Sequence, residues 1–270
     1  MKRRGSDFIV GVIPARMGSS RFSGKPLAKI CGIPMIGHVY MRSKMSKLLD
    51  DVFVATCDKE IADYMSTIGR DAIMTSASHE RASDRSAEAI DKVEKMTGRK
   101  VTIAVMIQGD EPMIRPEMID RAVEPLLGDR SIEVVNLMSL IGTREEEDDP
   151  NEVKVVCDRK GFALYFSREP IPSRKKGARD VRIMKQVCVI PFRRDFLEKF
   201  NRLPQTPLEI AESVDMLRVL EHGYKVKMVE VDDVTYSVDT PEDLKDVEAA
   251  MKGDELLKDY RKSKWLKKRA

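Results

Sequence analysis

Phe8-Ile9-Val10-Gly11-Val12-Ile13-Pro14-Ala15-Arg16-Met17-Gly18-Ser19-Ser20-Arg21-Phe22-Ser23-Gly24-Lys25-Pro26-Leu27 runs from an apolar strand directly into a cationic loop rich in small residues. An open α/β sheet binds its ligand outside the carboxyl ends of its strands, which is where this loop falls. Exposed backbone N–H groups together with Arg16, Arg21 and Lys25 would form a cradle for a polyphosphate, with a nucleoside triphosphate as the expected ligand. Two familiar phosphate motifs do not fit. A Walker loop has four residues between its glycine and its Gly-Lys, followed by Ser or Thr. Here five residues separate Gly18 from Gly24, and Pro26 follows Lys25. No G-x-G-x-x-G is present, and the alternative reading of the stretch is a basic surface loop.

Outward from this stretch, strand-like segments alternate with helical periodicity. Strands are predicted over Phe8–Ile13, Val52–Thr56, Ala72–Met74, Ile103–Gln108 and Val134–Met138, and helices over Met35–Leu48, Lys59–Ile68, Arg85–Met96 and Pro116–Leu127. The β-α-β-α order predicts an α/β fold with a mostly parallel sheet flanked by helices. The rhythm changes after Glu145-Glu146-Glu147-Asp148-Asp149, where Val153–Cys157 and Phe162–Ser167 read as a β-hairpin around Asp158-Arg159-Lys160-Gly161. A basic loop at residues 174–179, a strand over Val187–Phe192, helices over Asp195–Phe200 and Leu208–Leu220, and a strand over Val226–Val231 follow. Thr240-Pro241-Glu242-Asp243 is a capped helix start with proline at its first position. Without an internal repeat or low-complexity linker, residues 1–251 are expected to form one domain and residues 252–270 a basic extension.

At 270 residues, 42% hydrophobic and 34% charged, the chain can bury a sizeable core. No apolar run approaches the roughly eighteen residues of a membrane span, and the charged start leads into a strand, so a cytoplasmic protein is expected. The widely spaced Cys31, Cys57, Cys157 and Cys188 form no C-x-x-C, which argues against a zinc site or a disulfide framework. A net charge of +3 does not imply a polyanionic partner, and no nucleic acid is expected. The basic tail from Lys258 to Ala270 reads as a solvated extension, with a weak contact to an acidic surface as its alternative.

Gln108-Gly109-Asp110-Glu111-Pro112 follows a long apolar run. A carboxylate at the end of a central strand is costly unless a cation accompanies it. Asp110 is therefore a candidate ligand for Mg²⁺, an oxygen-binding ion that takes carboxylates together with phosphates; its other reading is the N-cap of the next helix. Asp239 stands at a second strand-to-helix turn, where Thr240 can do the capping. Two aspartates facing a cationic cradle would make a metal–triphosphate site.

Taken together, residues 13–27, Gln108–Pro112, Lys154-Val155-Val156, Ala163–Arg168, Leu217-Arg218 and Val238–Asp243 resemble the CMP-KDO synthetase family, the 3-deoxy-manno-octulosonate cytidylyltransferases. The motifs stand in the family's order and span nearly the whole chain to about Met251. The resemblance implies a nucleotidyltransferase α/β fold, CTP and Mg²⁺ as cosubstrates, release of diphosphate and a homodimer. It implies triphosphate and nucleotide contacts from Ala15, Arg16, Ser19, Ser20, Arg21, Lys25 and Gln108. Thr75, Ser76 and Ala77 fall in a stretch near the cytosine, and Arg85 lines the nucleotide pocket. Asp110 and Asp239 would hold magnesium, making Arg16, Lys25, Asp110 and Asp239 the catalytic set. Arg168, Gln186 and Asp215 fall on the side of an acidic acceptor.

The chain departs from the family pattern mostly on that acceptor side. Gln186 stands for a histidine, Ile190 for a tyrosine and Met216 for a glutamine, while Arg81-Ala82-Ser83 replaces Ser-Gly-Thr. Losing partners for substrate hydroxyls shifts specificity. Two acceptors are thus left open, KDO or a related sugar acid, and a small anion such as a phosphonate. A non-catalytic nucleotide- or nucleic-acid-binding protein is a third reading, against which the paired aspartates count.

Overall fold

The computed structural model describes residues 7–18, 22–177, 181–232 and 236–262. In chain order, β1 (Ile9–Ala15) leads through a short 3-10 turn (Lys25–Leu27) to β2 (Lys29–Ile30), β3 (Ile33–Pro34) and α1 (Met35–Ser43). Next come β4 (Asp51–Thr56), α2 (Lys59–Thr67), β5 (Ile73–Met74), α3 (Ala82–Thr97), β6 (Ile103–Ile107) and α4 (Pro116–Gly128). β7 (Val135–Leu140), α5 (Arg144–Asp148), β8 (Lys154–Cys157), β9 (Ala163–Ser167), β10 (Met184–Val187) and β11 (Val189–Arg193) follow. The chain continues through α6 (Arg194–Arg202), α7 (Pro207–Glu212), α8 (Asp215–Glu221), β12 (Lys227–Val231), α9 (Pro241–Met251) and α10 (Glu255–Lys262).

Described residues between 4 and 120 and between 235 and 270 group as one compact unit, and those between 121 and 234 as another. The chain read from sequence as one unit through residue 251 therefore closes its first unit with its last two helices. In that first unit β6, β1, β4 and β5 lie side by side in this order, all parallel, with Val10 opposite Asp51, Ile9 opposite Ile103 and Ala55 opposite Ile73. Ile9, Val10, Val12, Ile13, Val54, Val105 and Ile107 are inaccessible to solvent, as befits strands covered on both faces by helices. α3 buries Arg85, Ser86, Ala89, Ile90 and Val93, a stripe at helical spacing, and ends at Gly98 with φ 66°. Among the described residues no helix is long and apolar enough to cross a membrane.

The second unit holds the predicted hairpin, β8–β9, within a mixed sheet of order β12-β7-β10-β8-β9. Only β12 and β7 run parallel among its described pairings. Two predicted elements divide here. The strand expected over Val187–Phe192 is two strands interrupted at Cys188, and the helix expected over Leu208–Leu220 is α7 and α8 separated at Ser213. Ser213 takes φ 52°, a left-handed backbone that ends α7 with its N–H bonded to the Glu209 carbonyl.

α10, inside the expected basic extension, is docked on α1. Tyr260 donates its hydroxyl to His38 Nδ1 at 2.6 Å, and His38 Nε2 donates to the Ile30 carbonyl at 2.8 Å. Arg42 pairs with Asp254, and Arg261 reaches the Cys31 carbonyl. Residues 263–270, where most of the predicted basic tail lies, are outside the described residues. Burial pushes the His38 pKa down to about 4, with Arg42 adding to the effect against the hydrogen bond to Ile30. The unfolded chain binds this proton near pH 6.5, so the contribution of neutral His38 to stability is complete above that pH and is lost as pH drops from 6.5 towards 4. The loss over that window should approach about 3 kcal/mol. Urea unfolding of the wild type and His38→Gln at several pH values checks this; parallel stability–pH curves would contradict it.

Candidate active site

The carboxyl ends of β1, β4, β5 and β6 carry the loops that build the site. The loop after β1 returns on itself through Gly24, whose N–H donates to the Met17 carbonyl at 3.0 Å. Gly24 has φ 74°, a conformation that side chains disfavour, and it launches the Lys25–Leu27 turn in which Pro26 fixes the backbone. At the far side Met17 N–H donates to Asp58 at 2.7 Å, so a residue two positions past β4 pins the loop base. Lys25 therefore leaves a hydrogen-bonded turn on a flexible stem.

After β6, Gly109 lets the Gln108–Asp110 turn press against the end of β1. A β-carbon there would meet the Pro14 carbonyl at 3.3 Å and Ile36 at 3.4 Å. The Val238 N–H donates to the Asp110 carbonyl at 2.9 Å, which joins the two acidic turns through backbone. Thr240 accepts from the Asp243 N–H at 3.2 Å, and Asp243 accepts in turn from Thr240 N–H at 2.8 Å. This capping box relieves Asp239 of the helix end. Asp110 is equally uncommitted to capping, since α4 begins only at Pro116.

Lys25 Nζ lies 3.0 Å from Asp110 and 3.1 Å from Asp239. All three side chains are largely shielded, at 12%, 25% and 22% exposure. Residues more than 200 positions apart in sequence thus form one charged triad. The triad opens onto a cleft of about 360 Å³, within the usual range of small-molecule sites. Ala15, Arg16, Lys25, Arg85, Gln108, Asp110 and Asp239 line it, as do His79, Glu80, Arg81 and Met35. Ser19, Ser20 and Arg21, expected in the cradle, lie outside the described residues. Among the described residues no group of three or more His, Cys, Asp or Glu side chains could hold a metal by itself. Two carboxylates nevertheless suit Mg²⁺ when substrate phosphates complete its oxygen shell.

Thr75, Ser76 and Ala77 ride on the loop after β5 beside the cleft, with Thr75 N–H bonded to Thr56 at 2.8 Å. Arg85 lines the cleft but is buried, and its guanidinium donates to Thr75 Oγ1 and the His79 carbonyl. It therefore shapes the 75–79 loop from within the wall. Sequence reasoning missed Glu88, one turn further along α3, which accepts from Ser76 N–H at 2.9 Å and contacts His79 and Lys92. Burial raises its pKa, but the hydrogen bonds from Lys92, Ser76 and His79 win and hold it at about 2. Its three-residue spacing from Arg85 was the available signal, since such pairs share a helix face.

The acceptor-side candidates lie in the second unit. Arg168 donates to three backbone carbonyls, those of Glu212 at 2.6 Å, Pro150 at 2.6 Å and Ser213 at 3.4 Å. Its guanidinium, expected on the acceptor side, braces the end of β9 against the α7–α8 corner. Glu212 in turn accepts from Tyr165, Ser167 and the Arg168 N–H. Gln186 donates to Asn136 at 2.5 Å, and half-buried Asp215 begins α8. Ile190 and Met216 are core side chains, 3% and 1% exposed.

Against known proteins, a family model described as cytidylyltransferase matches residues 10–230. The chain is 45% identical over 253 residues to the 3-deoxy-manno-octulosonate cytidylyltransferase of Syntrophotalea carbinolica, covering 91% of this chain and 99% of that one. It is 43% identical over 246 residues to the protein of the same name from Geobacter metallireducens, covering 87% and 94%. A solved structure of CMP:2-keto-3-deoxy-manno-octonic acid synthetase complexed with CTP matches with a TM-score of 0.84 at 40% identity, covering 91% and 99%.

Proposed function

The chain belongs to the cytidylyltransferase family, and on that premise we propose that it transfers CMP from CTP to KDO with release of diphosphate. It is a CTP-dependent nucleotidyltransferase. The observation that carries the proposal is the convergence of Lys25, Asp110 and Asp239 in a cleft whose rim includes Arg16. The near full-length likeness to 3-deoxy-manno-octulosonate cytidylyltransferases supports KDO as acceptor. Ile190 and Met216, two of the departures that point to a smaller anion, are buried, which is consistent with exchanges inside the core.

In the proposed reaction an acceptor hydroxyl attacks the α-phosphorus in line. A new P–O bond forms, the bond to the β-phosphate bridging oxygen breaks, and the hydroxyl proton passes to solvent. Arg16 and Lys25 hold the triphosphate and neutralise charge on the departing diphosphate. Asp110 and Asp239 would hold Mg²⁺, which when bound supplies Lewis-acid neutralisation of the phosphates. Gln108 and the Arg85-supported loop would line the nucleoside side. Arg168 acts in this reading as the brace of the acceptor-side strand.

The protein works as a homodimer in the cytoplasm, where CTP is available; the four cysteines, all thiols, suit a reducing compartment. Diphosphate release with CTP and Mg²⁺ tests the acceptor. KDO is expected to support turnover and 2-aminoethylphosphonate to give none; the reverse pattern would replace KDO by a small anion.

A further inference from the structure

We propose that Lys25 is the resident counter-ion of the Asp110–Asp239 pair, so that a divalent cation enters the site only when the nucleotide draws this ammonium away. The inference rests on the reading that these two carboxylates hold the metal, and it adds a condition on when they can do so.

One ammonium lies within hydrogen-bond distance of both carboxylates, at 3.0 and 3.1 Å. It satisfies acidic groups that the backbone contact between Val238 and Asp110 forces together. A carboxylate oxygen that accepts from an ammonium is less able to donate to a metal, and a divalent ion placed beside Lys25 would meet a like charge at short range. Metal alone must therefore displace Lys25 into a cleft already bordered by Arg16, Arg81 and Arg85. A triphosphate reverses that balance, because it offers the ammonium several anionic oxygens.

The structure of the loop allows the exchange. Gly24 and Pro26 fix the main chain on either side of Lys25, while its side chain keeps four rotatable carbons. The ammonium can thus swing between carboxylates and phosphates by rotation about its own side-chain bonds. Thermodynamic linkage then makes the effect reciprocal: CTP strengthens metal binding by the same factor as metal strengthens CTP binding. The device keeps the acidic pair paired in the empty enzyme and makes the metal site conditional on substrate.

The test uses Mn²⁺ as probe, followed by electron paramagnetic resonance on the full chain, with CTP present or absent and no acceptor added. Contributions from Mn²⁺–CTP in solution are subtracted. Wild-type protein should bind Mn²⁺ at least about tenfold more weakly without CTP than with it. Lys25→Met should bind Mn²⁺ alone about tenfold more tightly than wild type, and CTP should strengthen its Mn²⁺ binding less. Lys25→Gln serves as a second variant, and thermal melts verify that each is folded. Wild type that binds Mn²⁺ equally well with and without CTP would overturn the proposal, with no variant needed. So would a folded Lys25→Met whose Mn²⁺ affinity and CTP dependence match the wild type, provided Asp239→Asn abolishes binding. If Asp239→Asn leaves Mn²⁺ binding in the CTP complex unchanged, the metal assignment itself fails.

Discussion

Asp239→Asn is expected to lower kcat for CMP transfer by about 10²–10³ while leaving the protein folded. The rate loss corresponds to about 3–4 kcal/mol, the usual effect of deleting one preorganised charge contact at a reacting phosphate or carbonyl. The fold should survive because the structural duties of this turn belong to its neighbours. Thr240 and Asp243 cap α9, and the bond from Val238 to Asp110 uses backbone alone. Asparagine keeps the shape and the backbone N–H that donates to Asp243, and it removes the charge facing Lys25. Turnover measured across a Mg²⁺ titration, beside a thermal melt, separates the two effects. Near wild-type rates at every Mg²⁺ concentration would remove Asp239 from the catalytic set. A melt lowered as far as that of a core variant would instead make it structural.

The strand running into the cationic loop made the site legible, because a buried parallel strand fixes where its following loop must open. The same logic placed Asp110, and the capping chemistry of Thr240-Pro241-Glu242-Asp243 placed Asp239 beside a helix that it did not have to cap. What the sequence could not display was contact between distant positions. Tyr260 and His38 are 222 residues apart, so a helix within a stretch that reads as a charged tail became part of the first unit. Arg85 was legible as a cleft residue, whereas its use was not, since the acceptors it meets are Thr75 Oγ1 and a backbone carbonyl. Arg168 shows the same limit, its partners being carbonyls supplied by two separate turns. The break at Ser213 escaped the periodicity because the apolar stripe continues through it, in Leu208, Ile210, Val214, Leu217 and Leu220.

Glu209→Ala is expected to destabilise the second unit by about 3–5 kcal/mol, because it takes the paired carboxylate away from a buried guanidinium. Arg218 Nε and Nη2 donate to the two Glu209 oxygens at 2.7 and 2.6 Å, with the partners 4% and 0% exposed. Arg218 also reaches the carbonyls of Phe200 and Leu203 at 3.5 and 3.4 Å, and the face of the Phe200 ring at 4.8 Å. These cannot replace a carboxylate. Glu209 also closes the α7 capping box by accepting from Thr206 N–H, so the variant loosens a helix start as well. The pair spans the Ser213 break, and it holds together the corner whose Glu212 supports Tyr165, Ser167 and Arg168. Replacing both partners by apolar residues of similar volume, as in Glu209→Leu with Arg218→Met, should recover most of the loss, since no charge is then left buried. Urea denaturation of the wild type, the single variant and the double variant makes the comparison. A single-variant cost below about 1 kcal/mol would mean that water reaches the guanidinium and that the pair is not what fixes the corner. A double variant no more stable than the single one would assign the effect to lost packing and capping instead of to an uncompensated charge.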